Sequence, residues 1–494
     1  MEPTHPDTTA DRTMTAHPWR AFALLVIAYF MTIVDLTIVN VSLPTIGREL
    51  DFTESSLQWV VTAYGLTFGG FLLLGGRASD LLGRRRLLMI GLVIFSVASL
   101  ACGLATQATF LIVMRGVQGL GAAIVLPAAL ASVMAIFPEG SSRNQALGIW
   151  GAAGALGATA GLLAGGLFTS YIGWPAIFYF NVPIGLAALV LAPRLVPETR
   201  ERAQRRSYDV LGAVSGTAAV TLLVYAISRA PQVGWDSSQT LWLLAVAVAL
   251  VVAFVLIEGR VAAPLLPGRL FRSGTVLGAN VVGFLLTGSF YTYIFVGTLY
   301  LQQILGFSPL RTGFAWLLAS VTSVAFAGLS QALVTRFSPK AVMAFGMTLI
   351  GAGPLWATQI QAHGSFWADL AGPIFLAGVG TAFGFIPVSI GALTGIQKSD
   401  AGIASGLLST FQQLGGAMGV AVASSVAASR TGSLLSLGYA PAEALTGGFQ
   451  AALWVCGLTG LAGVPITFLL IRRTPTDTAL APTGGRPDAV VTGD

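Results

Sequence analysis

Charge is what this 494-residue chain has least of: 26 Lys and Arg with 20 Asp and Glu make up only 9% of it, against roughly a quarter in a soluble domain. Histidine is nearly absent, and His5, His17 and His363 all fall in tails or loops. No His-based catalytic pair, haem ligand set or zinc cluster can therefore be assembled inside an apolar segment. Cysteine is limited to Cys102 and Cys456, each within an apolar run, where core packing accounts for them and a structural disulfide does not. Lysine occurs twice, so arginine carries the basic excess, singly or in short clusters between apolar runs. That pattern marks membrane topology, and it excludes the continuous basic stripe of a nucleic-acid binder.

Apolar length is what the chain has in abundance. It is 55% hydrophobic with a mean hydropathy of +0.79. At about 20 apolar residues per bilayer crossing, fourteen spans are predicted between residues 20 and 471. They are too long for barrel strands and lack strict alternation, so the fold class is an all-α polytopic membrane protein. The N-terminal 19 residues hold no apolar stretch, and the first span is expected to act as its own insertion signal. With the N-terminus inside, 21 Lys and Arg fall on the inner face and four, Arg48, Arg229, Arg311 and Arg430, on the outer. The split predicts an even number of spans and cytoplasmic termini.

A faint repeat divides the chain. Gly119-Leu120-Gly121 followed by Pro127 returns as Gly378-Val379-Gly380 followed by Pro387, and the basic turn after the second span has an echo at Arg336 and Lys340. The offset is eight spans, which two six-helix halves separated by two extra helices would produce. The predicted organisation is an N-tail (1–19), a first half (20–195), a linker with two extra helices (196–275), a second half (276–471) and a C-tail (472–494).

Two ionisable residues lie inside spans, where each costs on the order of 3 kcal/mol by insertion scales and needs a function. They are Asp35 in the first span and Arg115 in the fourth. Thr32, Asp35 and Ser42 put a polar face on the first helix, and Thr37 and Asn40 form a second polar pair. Burial favours the neutral form of a carboxyl and a nearby guanidinium favours the charged one. A changing Arg–Asp distance could thus load and unload a proton on Asp35; a static ion pair joining two helices is the alternative reading.

Three further features stand out. The turn containing Gly76, Arg77, Asp80, Gly83 and Arg84 sets an acid among arginines, as a charge latch to helix ends would, or as simple inside anchoring. Gly148, Gly151, Gly154, Gly157, Gly161, Gly165 and Gly166 line the fifth span, allowing close helix approach, sliding or static. Tyr29, Asn40, Tyr64, Gln118, Phe290, Tyr293, Trp316, Phe411 and Gln412 are candidates for an apolar pocket with few polar groups, suited to amphipathic organic molecules. No metal site is expected.

Taken with these motifs, the chain resembles the major facilitator superfamily, in particular its fourteen-span drug/proton antiporter branch, over nearly its whole length. The residues carrying the resemblance are Gly76 to Arg86, Arg115 with Gln118, Gly119 and Gly121, Asp35 to Pro44, Asn181 to Gly185 and Leu301 to Gly306. The resemblance implies proton-driven export of drugs or lipophilic metabolites from a bacterial inner membrane. No cofactor is implied beyond the proton gradient; the partners are a small molecule, protons and lipid, with accessory proteins unspecified. It makes Asp35 the proton site, Arg115 its modulator, and Asp80 with Arg77 and Arg84 the conformational latch.

Departures are present as well. Leu162 stands where the antiporter motif places proline, Trp174-Pro175 replaces a Trp-Arg pair, and Gln412 stands where arginine is common. Uptake by symport or uniport therefore remains open beside export, and so does a non-transporting sensor. A membrane enzyme would need a nucleophile with a base, a metal cluster or a phosphate-binding turn, none of which the sequence offers.

Overall fold

The computed structural model describes residues 17–137, 141–198, 210–234, 236–261, 273–396 and 401–471. Both tails lie largely outside these residues. The first half is built of α1 (Pro18–Glu49), α2 (Trp59–Leu82), α3 (Arg84–Gly103), α4 (Ala108–Ile136), α5 (Ser141–Tyr171) and α6 (Asn181–Leu195). Then come α7 (Val210–Val233) and α8 (Ser238–Glu258). The second half holds α9 (Gly274–Gln303), α10 (Pro309–Arg336), α11 (Pro339–Ala357), α12 (Ala371–Leu393), α13 (Ala401–Ser436) and α14 (Pro441–Leu470).

These runs form helices because a chain in lipid must satisfy its own backbone hydrogen bonds. Among the described residues, ten spans are long and apolar enough to cross a membrane; α2, α5, α7 and α13 complete the predicted fourteen. Glycine and serine dilute the hydropathy of α5 and α13. Serine marks the starts of several helices. Ser237, Ser273, Ser308 and Ser338 each accept the N–H three residues on, opening α8 to α11, and Ser365 does so for the π-helical turn Phe366–Leu370 that leads into α12. Such caps satisfy otherwise orphaned donors.

The two halves end alike. In the first turn of α3, Arg85 Nη1 donates to the carbonyls of Pro193 at 3.2 Å and Val196 at 3.4 Å, at the C-terminus of α6. In the first turn of α11, Lys340 Nζ donates to those of Phe468 and Ile471, both at 2.8 Å, at the C-terminus of α14. Each cation sits at the negative end of the last helix in its half. This gives the faint sequence echo at Lys340 a physical basis.

Three helix pairs carry much of the contact between the halves. Gly65 and Gly69 of α2 lie under Ala417 and Gln413 of α13. A Cβ on Gly313 of α10 would come within 2.8 Å of the Leu162 carbonyl oxygen of α5, and one on Gly166 within 2.7 Å of that of Pro309. Gln302 Nε2, at the end of α9, donates to the Val41 carbonyl of α1 at 2.6 Å. The inserted α7 packs on α2, with Thr217 Oγ1 donating to the Gly70 carbonyl at 2.7 Å. Outside it, α8 sets Phe254 against Gly216 and exposes Leu241, Trp242, Val248, Val252 and Val255, an apolar face suited to lipid.

The glycine stripe of α5 serves close packing. Gly154, Gly157, Gly161 and Gly165 abut α1, and a Cβ on Gly161 would lie 2.7 Å from the Val34 carbonyl oxygen and 3.1 Å from the Ile38 nitrogen. With Leu162 in place of proline, α5 runs unbroken through this contact. Gly161→Val is expected to push α1 from α5, at about 1–3 kcal/mol for overpacking. Thermal unfolding of the purified protein in detergent should show a lower midpoint; an unchanged midpoint would mean the two helices are free to separate.

Candidate functional site

Asp35 is placed halfway along α1, and its neighbours on that helix satisfy themselves locally. Thr32 Oγ1 donates to the Tyr29 carbonyl at 2.7 Å, Thr37 Oγ1 to that of Val34 at 3.2 Å, and Asn40 Nδ2 to that of Thr37 at 3.2 Å. Ser42 pairs with Thr169 of α5 at 2.6 Å. Asp35 alone reaches into the middle of the first half.

Both of its oxygens are engaged there. Arg115 Nη1 of α4 donates to Asp35 Oδ2 at 2.7 Å, Gln118 Nε2 to Oδ1 at 2.8 Å, and Asn181 Nδ2 to Oδ1 at 2.7 Å. Exposure is 0% for Asp35, 1% for Arg115, and 0% for both Gln118 and Asn181. The guanidinium is held on other sides too. Its Nη1 also donates to Gln118 Oε1 at 2.7 Å and its Nε to the Val60 carbonyl of α2 at 3.0 Å. The Tyr64 ring lies 4.3 Å from its Cζ, within cation–π range. Ser99 of α3 accepts from both amides, Gln118 and Asn181, at 3.0 Å, and donates to the Phe178 carbonyl at 2.8 Å.

Five helices therefore converge on one buried carboxylate. A buried ion pair is weak evidence of stability, because desolvation consumes most of the attraction. Its retention in an apolar bundle points to a task for the charge.

Of the predicted pocket residues, Tyr64 and Gln118 belong to this charge site. Tyr29 is half-buried and stacked on Trp150 of α5 at 4.2 Å. On the second half, Phe290 lies near Tyr291 and Phe385, at 5.9 and 6.4 Å between ring centroids, with Phe411 and Gln412 half-buried on α13. Tyr293 and Trp316 are instead fully buried against each other, edge to face at 5.4 Å, and Trp316 Nε1 donates to Thr298 Oγ1 at 2.9 Å. Asn40 spends its amide N–H on its own helix.

At the turn expected to act as a latch, Gly83 has φ +105°, a conformation that favours glycine, and joins α2 to α3 in one residue. Gly76 rests on Pro127 of α4, and Arg84 opens α3. The side chains of Arg77 and Asp80 lie outside those described. Sequence reasoning gave Ser99, Cys102 and Asn181 no role at the site. Neutral polar residues carry no charge signal; Asn181 stood out only by opening the Asn-Val-Pro-Ile-Gly segment.

Two helical halves, the first enclosing a buried Asp–Arg pair, are the plan of a membrane transporter of the secondary type. The chain belongs to the Major Facilitator Superfamily, which it matches over residues 25–420. It is 35% identical over 468 residues to a puromycin resistance protein of Streptomyces alboniger, covering 92% of each chain. It is 34% identical over 471 residues to a cephamycin export protein of Amycolatopsis lactamdurans, covering 94% of this chain and 96% of that one. A solved bacterial homologue of the human lysosomal transporter Spinster shares the fold, with a TM-score of 0.64 at 15% identity over 95% of this chain and 99% of that one.

Proposed function

We propose that the protein exports amphipathic, lipophilic small molecules, antibiotics among them, in exchange for protons. Its setting is a bacterial inner membrane, with both termini in the cytoplasm. The observation that carries this reading is the fully buried Asp35 carboxylate, held by Arg115, Gln118 and Asn181. The relatives named for puromycin resistance and cephamycin export support the direction and the substrate class. Residues 20–195 and 276–471 act as the two moving halves, with 196–275 bridging them. Asp35 takes and gives the proton, Arg115 sets when it does so, and Gly76, Arg77, Asp80, Gly83 and Arg84 latch the inner ends.

Substrate is held between Tyr29 on one side and Phe290, Phe411 and Gln412 on the other, while Asn40, Tyr293 and Trp316 support the walls. Under positive-inside topology, the Gly166–Pro309 and Val41–Gln302 contacts lie toward the outer face, so the halves meet there. A proton entering across 100 mV releases about 2.3 kcal/mol, enough for an outward gradient of several-fold to tens-fold.

The test is accumulation of lipophilic dyes and antibiotics, puromycin included, in a pump-deficient host. Wild-type protein is expected to lower accumulation, and a protonophore to abolish the difference. Raised accumulation that the protonophore abolishes would mean uptake, and no difference for any compound would contradict the proposed substrate class.

A further inference from the structure

One polar atom at the site has no partner: Asn181 Oδ1 is buried and unbonded, while the Nδ2 of the same amide donates to Asp35 Oδ1 at 2.7 Å and Ser99 Oγ at 3.0 Å. Buried side-chain oxygens are nearly always satisfied, and an exception calls for a reason. Resting on the reading of Asp35 as the proton carrier, we propose that Asn181 is an amide switch for that proton. It donates through Nδ2 to the ionised carboxylate, and turns over to accept through Oδ1 when the carboxyl is neutral.

The count of donors leads there. The carboxylate receives Arg115 Nη1 on Oδ2, and Gln118 Nε2 and Asn181 Nδ2 on Oδ1. Every one of these neighbours is a donor, which suits an anion. A proton arriving on Oδ1 makes that oxygen a donor itself, facing two amide N–H groups.

One amide must then offer its oxygen. Gln118 is not free to do so, because its Oε1 already accepts from Arg115 Nη1 at 2.7 Å and Cys102 Sγ at 3.8 Å. Asn181 is free, since its oxygen holds nothing. A half-turn about Cβ–Cγ brings Oδ1 to the place of Nδ2, and an amide carbonyl accepts as readily as the NH2 donates. Ser99 can follow, because its hydroxyl proton, now on the Phe178 carbonyl, rotates to suit its partners.

The other titratable groups facing the site do not serve as that acceptor. Arg115 has donors only, Tyr64 directs its hydroxyl to the Thr32 carbonyl at 3.4 Å, and the Cys102 thiol donates to Gln118. The proton stays on Asp35 throughout; Asn181 changes only its orientation. An unpartnered oxygen in one state is exchanged for an unpartnered NH2 in the other.

Infrared difference spectroscopy on the full chain in lipid tests this directly. Side-chain 13C-labelled asparagine falls at only four positions, Asn40, Asn144, Asn181 and Asn280. Acidification is expected to give a protonated-carboxyl band that is absent in Asp35→Asn. With it, a labelled amide carbonyl should shift to lower frequency, and that shift should be absent in Asn181→Leu. A carboxyl band without the Asn181 shift would overturn the switch and leave proton coupling intact, as would an Asn181 carbonyl already hydrogen-bonded before acidification. No Asp35-dependent carboxyl band would overturn the proton reading and the switch together.

Transport by Asn181→Leu supplies a second readout. A hydrogen bond to a charged group outweighs one to a neutral group, so the midpoint of the pH profile should move up by about one unit. Lower activity at every pH with an unmoved midpoint would assign Asn181 to packing alone.

Discussion

Asp35→Asn is expected to reduce export to the level of cells lacking the protein, whatever the compound and the size of the proton gradient. The amide fills almost the same volume but cannot take up and release a proton in the working range. It is also poorly matched to its surroundings. Both Asp35 oxygens accept from N–H groups, so the NH2 of an asparagine must turn either toward Arg115, donor against donor, or toward Gln118 and Asn181, where Asn181 accepts it only by turning over and leaving its own NH2 unpartnered. An unsatisfied buried group costs about 1–3 kcal/mol, so the unfolding midpoint should fall while insertion persists. Drug efflux and thermal unfolding on the same preparation separate the two effects. Proton-coupled export by a well-folded Asp35→Asn variant would refute the assignment.

Arg115→Met is expected to be as damaging to transport and more damaging to stability. It leaves the Asp35 carboxylate buried without its cation, and removing one partner of a buried pair costs about 3–5 kcal/mol. Adding Asp35→Asn removes the charge left behind, so the double variant should be more stable than Arg115→Met alone, with transport still absent. A double-mutant cycle in thermal stability measures this coupling. Strict additivity would show that the 2.7 Å contact carries no interaction of its own. Arg115→Lys is expected to fall between, because an ammonium lacks the planar fork that serves Asp35, Gln118 and the Val60 carbonyl together.

The fold was legible because lipid punishes polar backbone and side chains alike. Fourteen apolar runs and two intramembrane charges were enough to place the helices and to pair Asp35 with Arg115. Position along the helix was not enough to sort the remaining polar residues. Asn40 and Asp35 are five residues apart on α1, yet one bonds its own helix and the other reaches two more. The polar face of the first helix does not reveal its own partners: the structure buries Thr32 and Ser42 in local and interhelical hydrogen bonds. Tyr64 and Gln118 were expected at a substrate pocket and stand beside the ion pair. Ser99 gave no signal, and Asn181 none beyond the segment it opens, for the opposite reason: a neutral polar side chain is inexpensive enough in a helix to occur without a function, so only its partners give it meaning.

Glycine was legible as pattern but not as partner. The α5 stripe announced close packing, yet only the structure shows that Gly154 to Gly165 abut α1 while Gly166 abuts α10. The repeat behaved similarly, since the distant echo at Lys340 takes its meaning from the carbonyls that it caps at the end of α14.

Everted membrane vesicles offer the most direct measurement of proton exchange through Asp35. With the lumen acidified and a pH-sensitive dye reporting the gradient, an exported compound is added from outside. Wild-type vesicles are expected to take up the compound and lose part of the gradient as protons leave, whereas Asp35→Asn vesicles do neither. Uptake without proton movement, or proton movement that survives in Asp35→Asn, would contradict the account.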